Sequence, residues 1–187
     1  MNKSHGDRTI FVSRFSTPLG PMLAGAVNDG ICLLEFIDRN VLTTQCNKLK
    51  SALHCDIRSG SHFHLVELNR QLQEYFQGCR ADFNIPLVIS GTEFQKLVWN
   101  ELLKIPYAST RSYKQQAEAM GRAQAVRAVA NANSNNHIAI LIPCHRVIGQ
   151  NGKLVGYGGG IWRKQFLLDL ESHDVLSRSQ FADGAEK

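Results

Sequence analysis

Residues 138–147 read Ile-Ala-Ile-Leu-Ile-Pro-Cys-His-Arg-Val, and the interpretation of the whole chain starts from this stretch. The apolar run Ile138–Ile142 has the length of a buried strand or extended segment. It leads to Cys144, and His145 follows directly. A thiol fixed at the end of a rigid buried segment, with an imidazole beside it, has the parts of an activated nucleophile. Because adjacent side chains often point apart, a Cys-His pair alone does not distinguish a nucleophile from a buried apolar thiol.

A glycine-rich loop and a helix are predicted after this segment. The glycines of Gly156–Gly160 leave room for a ligand to approach the backbone. The Gly-Lys-Ser/Thr ending of a phosphate-binding loop is missing from the sequence. Ile161–Glu171 has the apolar spacing of an amphipathic helix that ends at Glu171. A carboxylate at a helix C-terminus opposes the helix dipole, which favours a specific role for Glu171.

Three helices are predicted before the apolar run. Thr92 can cap the first helix, and Ser112 can cap a second helix over Tyr113–Met120. A third, alanine-rich helix is predicted over Ala123–Asn133. Two short helices joined through Gly121 are typical of a helix-turn-helix. By spacing alone, an αα-hairpin that only packs in the core is the more frequent outcome.

The N-terminal half predicts a small α/β subdomain. Two strands, Ile10–Phe15 and Met22–Val27, precede a hairpin turn at Asn28–Gly30 that leads into Ile31–Ile37. Two segments with helical spacing follow, Val41–Leu53 and His62–Phe76.

The fold class expected from these elements is α/β (α+β). Residues 1–90 are expected to form an N-terminal α/β subdomain with an antiparallel sheet, and this range includes the linker to the next domain. Residues 91–171 are expected to form a mostly helical domain that contains the helix-turn-helix and the Pro-Cys-His-Arg-Val segment. Residues 172–187 are expected to be a flexible tail.

Composition and charge describe an ordinary globular protein of 187 residues. The longest apolar run is too short to span a membrane and no signal core is present, so a cytoplasmic protein without a membrane partner is expected. The five cysteines include no CxxC pair, so we interpret them as free thiols and predict no metal site.

Residues 91–171 hold ten Lys/Arg against five Asp/Glu. A polyanionic partner and a solvated surface explain this surplus equally well.

An ordered set of motifs resembles one known family. The matching segments are Gly91-Thr92-x-Phe94-Gln95-x-x-Val98-Trp99, Ser112-Tyr113, Ala125-Val126-Arg127-Ala128-Val129, Pro143-Cys144-His145-Arg146-Val147, Gly156-Tyr157-x-Gly159-Gly160 and Lys164-x-x-Leu167-Leu168-x-x-Glu171. Together they closely resemble the O6-alkylguanine-DNA alkyltransferases, also called methylated-DNA–protein-cysteine methyltransferases. The resemblance is dense over residues 91–171 and extends to residues 8–90 only in general layout.

The resemblance implies direct-reversal DNA repair without a cofactor. An alkyl group would pass from O6-alkylguanine to Cys144 in a single turnover, with O4-alkylthymine left open as a second substrate. His145 would take the thiol proton through a water, and Glu171 would orient and polarise His145. Asn136 would tie the preceding turn to the active-site segment. Tyr113 would promote nucleotide rotation and donate a proton to the departing guanine.

The resemblance also implies how DNA and the damaged base are held. A monomer would bind double-stranded DNA from its minor-groove side, and Arg127 would fill the gap that the flipped base leaves in the stack. Further DNA contacts are expected from Ala125 and Ser134. The expected substrate pocket consists of Tyr157, Gly158, Val147 and Ala139.

The sequence departs from the family pattern at three places, and two of these departures carry expectations of their own. Gln116 stands where an apolar residue, often leucine, is usual, which predicts a loosely packed hairpin and reduced DNA affinity. Residues 108–111 replace a stretch that commonly has Gly-Glu and an apolar residue. Ala139 is small where some relatives have proline, which predicts a roomier pocket for larger alkyl groups.

Two other functions compete with repair. A protein that reads alkylated bases without repairing them would lack the acceptor cysteine, so Cys144 argues against that function. A cysteine hydrolase acting through Cys144 and His145 would need an oxyanion hole, and the sequence offers no convincing candidate. Larger adaptive-response regulators of this kind carry an N-terminal cysteine-rich zinc domain, which this sequence does not contain, so transcriptional activation is not predicted.

Overall fold

The computed structural model describes residues 9–182, with side chains described for residues 9–172. It has the α+β fold that the sequence predicts. The strands are β1 (Thr9–Phe15), β2 (Met22–Val27), β3 (Gly30–Phe36), β4 (Asp56–Ser59), β5 (Arg111–Ser112) and β6 (Val147–Ile148). The helices are α1 (Leu42–Leu53), α2 (Phe63–Phe76), α3 (Glu93–Leu102), α4 (Tyr113–Ala119), α5 (Val126–Ser134) and α6 (Ile161–Ala182).

The N-terminal strands form a four-stranded sheet in the order β3-β2-β1-β4. The β1–β2 and β2–β3 pairs are antiparallel, and the predicted turn at Asn28-Asp29 joins β2 to β3. Strand β4 pairs parallel with β1 and was not predicted. None of its four residues is buried, so its sequence lacks the apolar alternation by which a strand is recognised.

Strand β3 joins the sheet to the active-site segment. All seven of its residues are buried, although β3 lies at the edge of the four-stranded order. The Leu34 N–H donates to the His137 carbonyl at 2.9 Å, and the Ala139 N–H donates to the Leu34 carbonyl at 2.8 Å. The chain just before Cys144 is therefore docked on the edge of the N-terminal sheet.

The run Ile138–Ile142 is buried as predicted, but it forms neither the strand nor the extended segment that its length predicted. Only Ile138 makes a bridge to β3, and the chain then turns, with Ile140 at a φ of 71°. The Asn136 side chain accepts from the Ile138 N–H at 3.0 Å and donates to the Ile142 carbonyl at 2.8 Å. These backbone groups are therefore bonded within a compact loop and are not free to extend a sheet.

Helices α3 and α4 begin at the predicted caps. Thr92 and Gln95 form a capping box, and so do Ser112 and Gln115. The third predicted helix is divided, because Ala123–Ala125 is a turn of 3₁₀ helix and α5 begins only at Val126. Gln116 is fully buried on α4 and hydrogen-bonded to α5. The loose hairpin packing predicted from that residue is therefore not observed.

Helix α6 continues past Glu171, where the sequence predicted its end. No glycine or proline occurs between Glu171 and Gly184, so nothing in this part of the sequence breaks the helix. The argument from an unfavourable helix dipole at Glu171 therefore does not hold. Of the predicted flexible tail, residues 172–182 belong to α6 and residues 183–187 lie outside the described residues. No helix between residues 9 and 182 is long and apolar enough to cross a membrane.

Candidate active site

Asn136 holds Cys144 from the side. Its Nδ2 lies 3.3 Å from the Cys144 Sγ and donates also to the Ile142 carbonyl at 2.8 Å. Cys144 begins a turn of 3₁₀ helix that follows the compact loop, and its side chain is buried. One amide therefore fixes both the backbone that leads to the thiol and the sulfur itself.

The surroundings of Cys144 keep its thiol protonated at rest. Burial raises the pKa of Cys144 above its ordinary value, and the hydrogen bond from Asn136 opposes this effect. The Glu35 carboxylate raises the pKa further, whereas Lys164 and Arg39 lower it. Because only the thiolate is a strong nucleophile, this cysteine needs a base that removes its proton.

His145 has the protonation state of such a base. Burial lowers its pKa, and the hydrogen bond to Glu171 opposes that shift. The ring Nε2 lies 2.9 Å from the Glu171 Oε1, so we assign the proton to Nε2. The Nδ1 atom is buried and has no hydrogen-bond partner. A neutral imidazole with a free Nδ1 can accept a proton.

The Glu171 carboxylate is the centre of a buried hydrogen-bond network. Tyr75 donates to it at 2.8 Å, the Ala108 N–H at 3.0 Å, and Arg146 through Nε at 3.0 Å and Nη2 at 2.9 Å. Burial alone would raise the pKa of Glu171, but the bonds from His145 and Arg146 outweigh it and lower the pKa to about 2. Glu171 is therefore ionised and fixed in position.

Tyr113 and Lys164 support the glycine-rich loop from the side of α4 and α6. The Tyr113 hydroxyl donates to the carbonyls of Gly156 at 2.9 Å and Val155 at 3.2 Å. Lys164 Nζ donates to the Val155 carbonyl at 2.8 Å and to the Val147 carbonyl, and it lies 5.8 Å from the centre of the Tyr113 ring. Burial and Cys144 raise the pKa of Tyr113 to about 12, so its hydroxyl remains a donor.

A cavity of about 10 Å³ lies beside Cys144. It is lined by Glu35, Phe36, Arg39, Asn133, Ser134, Asn136, Ala139, Cys144, Tyr157, Gly158 and Gly159. Three of the predicted pocket residues are among these, whereas Val147 is not and instead uses its carbonyl to bind Lys164. This volume holds about one water, so the roomier pocket predicted from Ala139 is not observed.

The predicted DNA contacts lie on one exposed part of the helical region. Arg127 is exposed in the first turn of α5, Ala125 is half-buried just before it, and Ser134 is exposed at its end. The Ser134 carbonyl accepts a hydrogen bond from Arg39 at 3.3 Å. The structure therefore leaves the Arg127 side chain available to a partner.

Several residues of the site were not recognised from the sequence. Arg146 belongs to the same motif as Cys144. A charged residue so close to a buried apolar run indicates a buried ion pair, and this signal was available in the sequence. Tyr75 gave no signal, because it looked like one more apolar position of α2. Glu35 and Arg39 belong to the N-terminal half, where no motif indicated a role in the site.

Comparisons with known proteins identify the family. Residues 10–89 match the family model of the 6-O-methylguanine DNA methyltransferase ribonuclease-like domain, and residues 93–173 match that of the DNA binding domain. The methylated-DNA–protein-cysteine methyltransferase of Mycobacterium leprae is 43% identical over 168 residues, which are 90% of this chain and 96% of that protein. The constitutive enzyme of Bacillus subtilis is 41% identical over 156 residues, 83% and 91% of the two chains. The structure of Mycobacterium tuberculosis OGT in complex with DNA superposes with a TM-score of 0.74 at 38% identity, covering 89% of this chain and 94% of that one.

Proposed function

Because the chain belongs to the O6-alkylguanine-DNA alkyltransferase family, whose members repair DNA by moving an alkyl group onto a cysteine of their own, we propose that Cys144 is the acceptor in this protein. The observation that carries the proposal is the arrangement of Cys144, His145 and Glu171. Cys144, a buried thiol, directly precedes His145 in the chain, and an ionised Glu171 carboxylate holds Nε2 of that neutral imidazole and leaves Nδ1 without a hydrogen-bond partner. This is the order of groups that activates a nucleophile in hydrolases, here directed at an alkyl carbon.

The first step is removal of the thiol proton. Since His145 Nδ1 is free and buried, it takes the Cys144 proton through a water. The imidazolium that forms keeps its Nε2–H on Glu171, and the negative carboxylate stabilises the new charge. Asn136 Nδ2 stays in contact with the sulfur and stabilises the thiolate by a hydrogen bond.

The second step is displacement at the alkyl carbon. The Cys144 sulfur forms a bond to that carbon, and the bond from the carbon to O6 of guanine breaks with its electron pair moving to guanine. The departing base is negatively charged, so a nearby donor lowers the barrier. Tyr113 supplies a hydroxyl that is protonated and lies at the glycine-rich loop. Tyr157 offers a second hydroxyl, which is buried and without a partner.

The thioether product explains single use. A carbon–sulfur bond on Cys144 has no good leaving group, so neither His145 nor water regenerates the thiol. Each molecule therefore repairs one lesion.

DNA reaches the site over the α4–α5 hairpin. A base inside the duplex cannot be attacked in line at O6, so it must leave the stack at a cost of a few kcal/mol. Arg127 is exposed at the start of α5 and enters the vacated position, which offsets part of that cost. The small residue Ala125, just before α5, suits the narrow minor groove, and a monomer suffices for this approach.

The test is the intact mass of the protein after mixing with DNA that contains one O6-methylguanine. We expect a gain of roughly 14 Da, one methylene, in the wild type and none in Cys144→Ala. The matched control is Cys79→Ala, which removes an exposed cysteine and should leave the gain unchanged. Peptide mapping should place the methyl group on Cys144.

Other outcomes point to the competing functions. Binding to the lesion without a mass gain would favour a protein that reads damage without repairing it. A mass gain on Cys79 or on any cysteine other than Cys144 would contradict the assignment of Cys144.

A further inference from the structure

Glu35 in β3 and Arg39, which follows β3, form an ion pair in the wall of the cavity next to Cys144. Glu35 is fully buried in β3 and accepts hydrogen bonds from the Phe36 N–H at 2.9 Å, from Gln45 Nε2 at 3.1 Å and from Arg39 Nη1. The Arg39 side chain is 13% exposed and is therefore also held within the protein. The mechanism proposed above uses neither Glu35 nor Arg39.

The Arg39 guanidinium bridges the two walls of the cavity. Its Nη2 donates to the Ser134 carbonyl at the end of α5 at 3.3 Å. On the other side it lies against the glycine-rich loop, because a Cβ added to Gly158 would lie 2.6 Å from the Arg39 Cζ. The side chain thus spans the space between α5 and the loop, and the remaining cavity of about 10 Å³ holds about one water. A guanine base does not fit while Arg39 is in this position.

We propose that Arg39, held by Glu35, determines which adducts reach Cys144, because its guanidinium must leave the Ser134–Gly158 gap before a base and its alkyl group enter. The ligand that displaces it is a purine with an O6 substituent, so this inference rests on the proposed function. The larger the substituent, the further the guanidinium has to move. Arg39 therefore selects for small alkyl groups, against the wider tolerance that the small Ala139 would otherwise allow.

The ion pair with Glu35 stabilises the Arg39 side chain in the gap between Ser134 and Gly158. A bidentate or charge-assisted bond between guanidinium and carboxylate is among the stronger side-chain interactions, and a buried carboxylate cannot lose its partner without cost. The single change Arg39→Ala would leave the buried Glu35 carboxylate without its charge partner and destabilise the fold. The double variant Glu35→Gln/Arg39→Ala removes both charges and avoids that problem.

The double variant has little net effect on the charge around the thiol. Glu35 raises the pKa of Cys144 and Arg39 lowers it, so their joint removal changes that pKa in opposite directions and removes one charge of each sign. A change in access can therefore be separated from a change in thiol reactivity, especially when a large and a small reagent are compared on the same protein.

The experiment compares wild type, Glu35→Gln/Arg39→Ala and the control Arg14→Ala, which removes an exposed arginine from β1. Cys144 is labelled with iodoacetamide as the small reagent and N-benzylmaleimide as the large one, and peptide mass gives each rate. In parallel, transfer is measured from O6-methylguanine in DNA and from free O6-benzylguanine. We expect the large-to-small ratio to rise on the order of tenfold in the double variant, for both the reagents and the guanines, and to stay unchanged in Arg14→Ala.

The reagent and transfer ratios test the role of Arg39, and methyl transfer itself tests the proposed function, so the two proposals can fail independently. Unchanged ratios in a folded double variant would overturn the role of Arg39, whether or not the protein transfers methyl groups. A raised labelling ratio in a protein that transfers no methyl group would support Arg39 as the residue that closes the cavity and would overturn the proposed function instead.

Discussion

Gln116 on α4 and Asn133 on α5 form a buried amide pair in which each side chain donates to the other. Asn133 Nδ2 donates to Gln116 Oε1 at 2.8 Å, and Gln116 Nε2 donates to Asn133 Oδ1 at 3.3 Å. Gln116 Nε2 also lies 3.3 Å from the Val98 carbonyl on α3. Gln116, a polar residue where an apolar one was expected, is thus compensated by a partner in the next helix.

Replacement of this glutamine should destabilise the protein. In Gln116→Leu the Asn133 amide would be buried without a partner, which costs about 1–3 kcal/mol in the free energy of unfolding. Urea denaturation measures this loss, with Gln124→Leu as a control at an exposed glutamine of the same hairpin. A Gln116→Leu variant as stable as wild type, or more so, would show that the amide pair contributes nothing.

Loss of the Glu171 carboxylate should impair both catalysis and stability. In Glu171→Gln the Arg146 guanidinium loses its buried charge partner, which costs about 3–5 kcal/mol, and His145 loses the group that fixes its tautomer. We expect the rate of methyl transfer to fall at least about a hundredfold, measured well below the melting temperature. Asp169→Asn, an exposed change on the same helix, should have no effect. A full rate in Glu171→Gln would remove the carboxylate from the mechanism.

Removal of the Arg127 side chain should affect duplex DNA only. Arg127→Ala loses a group that offsets the cost of base flipping, so the transfer rate from O6-methylguanine in duplex DNA should fall roughly tenfold or more. The rate with free O6-benzylguanine, which needs no flipping, should match wild type. Because Arg127 is exposed, the melting temperature should not change. Equal losses with both substrates would mean that Arg127 acts on the site itself.

Acid should destabilise the protein through His137. This residue is buried, its Nε2 has no partner, and burial lowers its pKa from 6.5 to about 4. Between these two values the unfolded chain binds the proton and the folded chain does not, so stability is complete above pH 6.5 and falls on the order of 3 kcal/mol as the pH drops to 4.

The variant His137→Phe tests this contribution. It keeps a ring against Trp99, which contacts the imidazole edge-on at 5.1 Å, and removes the titrating group. The free energy of unfolding from urea titrations should depend less on pH between 6.5 and 4 than in wild type. His54→Gln, at an exposed histidine, should keep the wild-type dependence. Identical slopes in wild type and His137→Phe would assign the acid sensitivity to other groups.

The sequence predicts elements well where a local signal exists. The Asn28-Asp29 turn and the caps at Thr92 and Ser112 depend on neighbouring residues, and the structure contains all three. The run Ile138–Ile142 was misjudged because its hydrogen bonds go to the Asn136 side chain, and periodicity does not report such bonds.

The parts of the site that escaped prediction come from distant segments. The hydrogen bond from Tyr75 to Glu171 joins residues 96 positions apart in the sequence, and the one from Arg39 to Ser134 joins residues 95 positions apart. Nothing in the neighbourhood of Tyr75 or Arg39 distinguishes them from an ordinary core tyrosine or surface arginine. The division of the chain at residue 90 and the roles of the individual site residues stay predictions.

The Glu171 network also determines the order in which a newly made chain gains its reactivity. Tyr75, Ala108 and Arg146 all precede Glu171 in the chain. The carboxylate is therefore the last group of the network to be synthesised. Until then the His145 imidazole has no group to hold its tautomer, and a nascent or prematurely terminated chain carries Cys144 as an ordinary thiol. A chain that ends before Glu171 therefore contains Cys144 without the carboxylate that supports its base, and activation of the thiol for alkyl transfer requires synthesis past that residue.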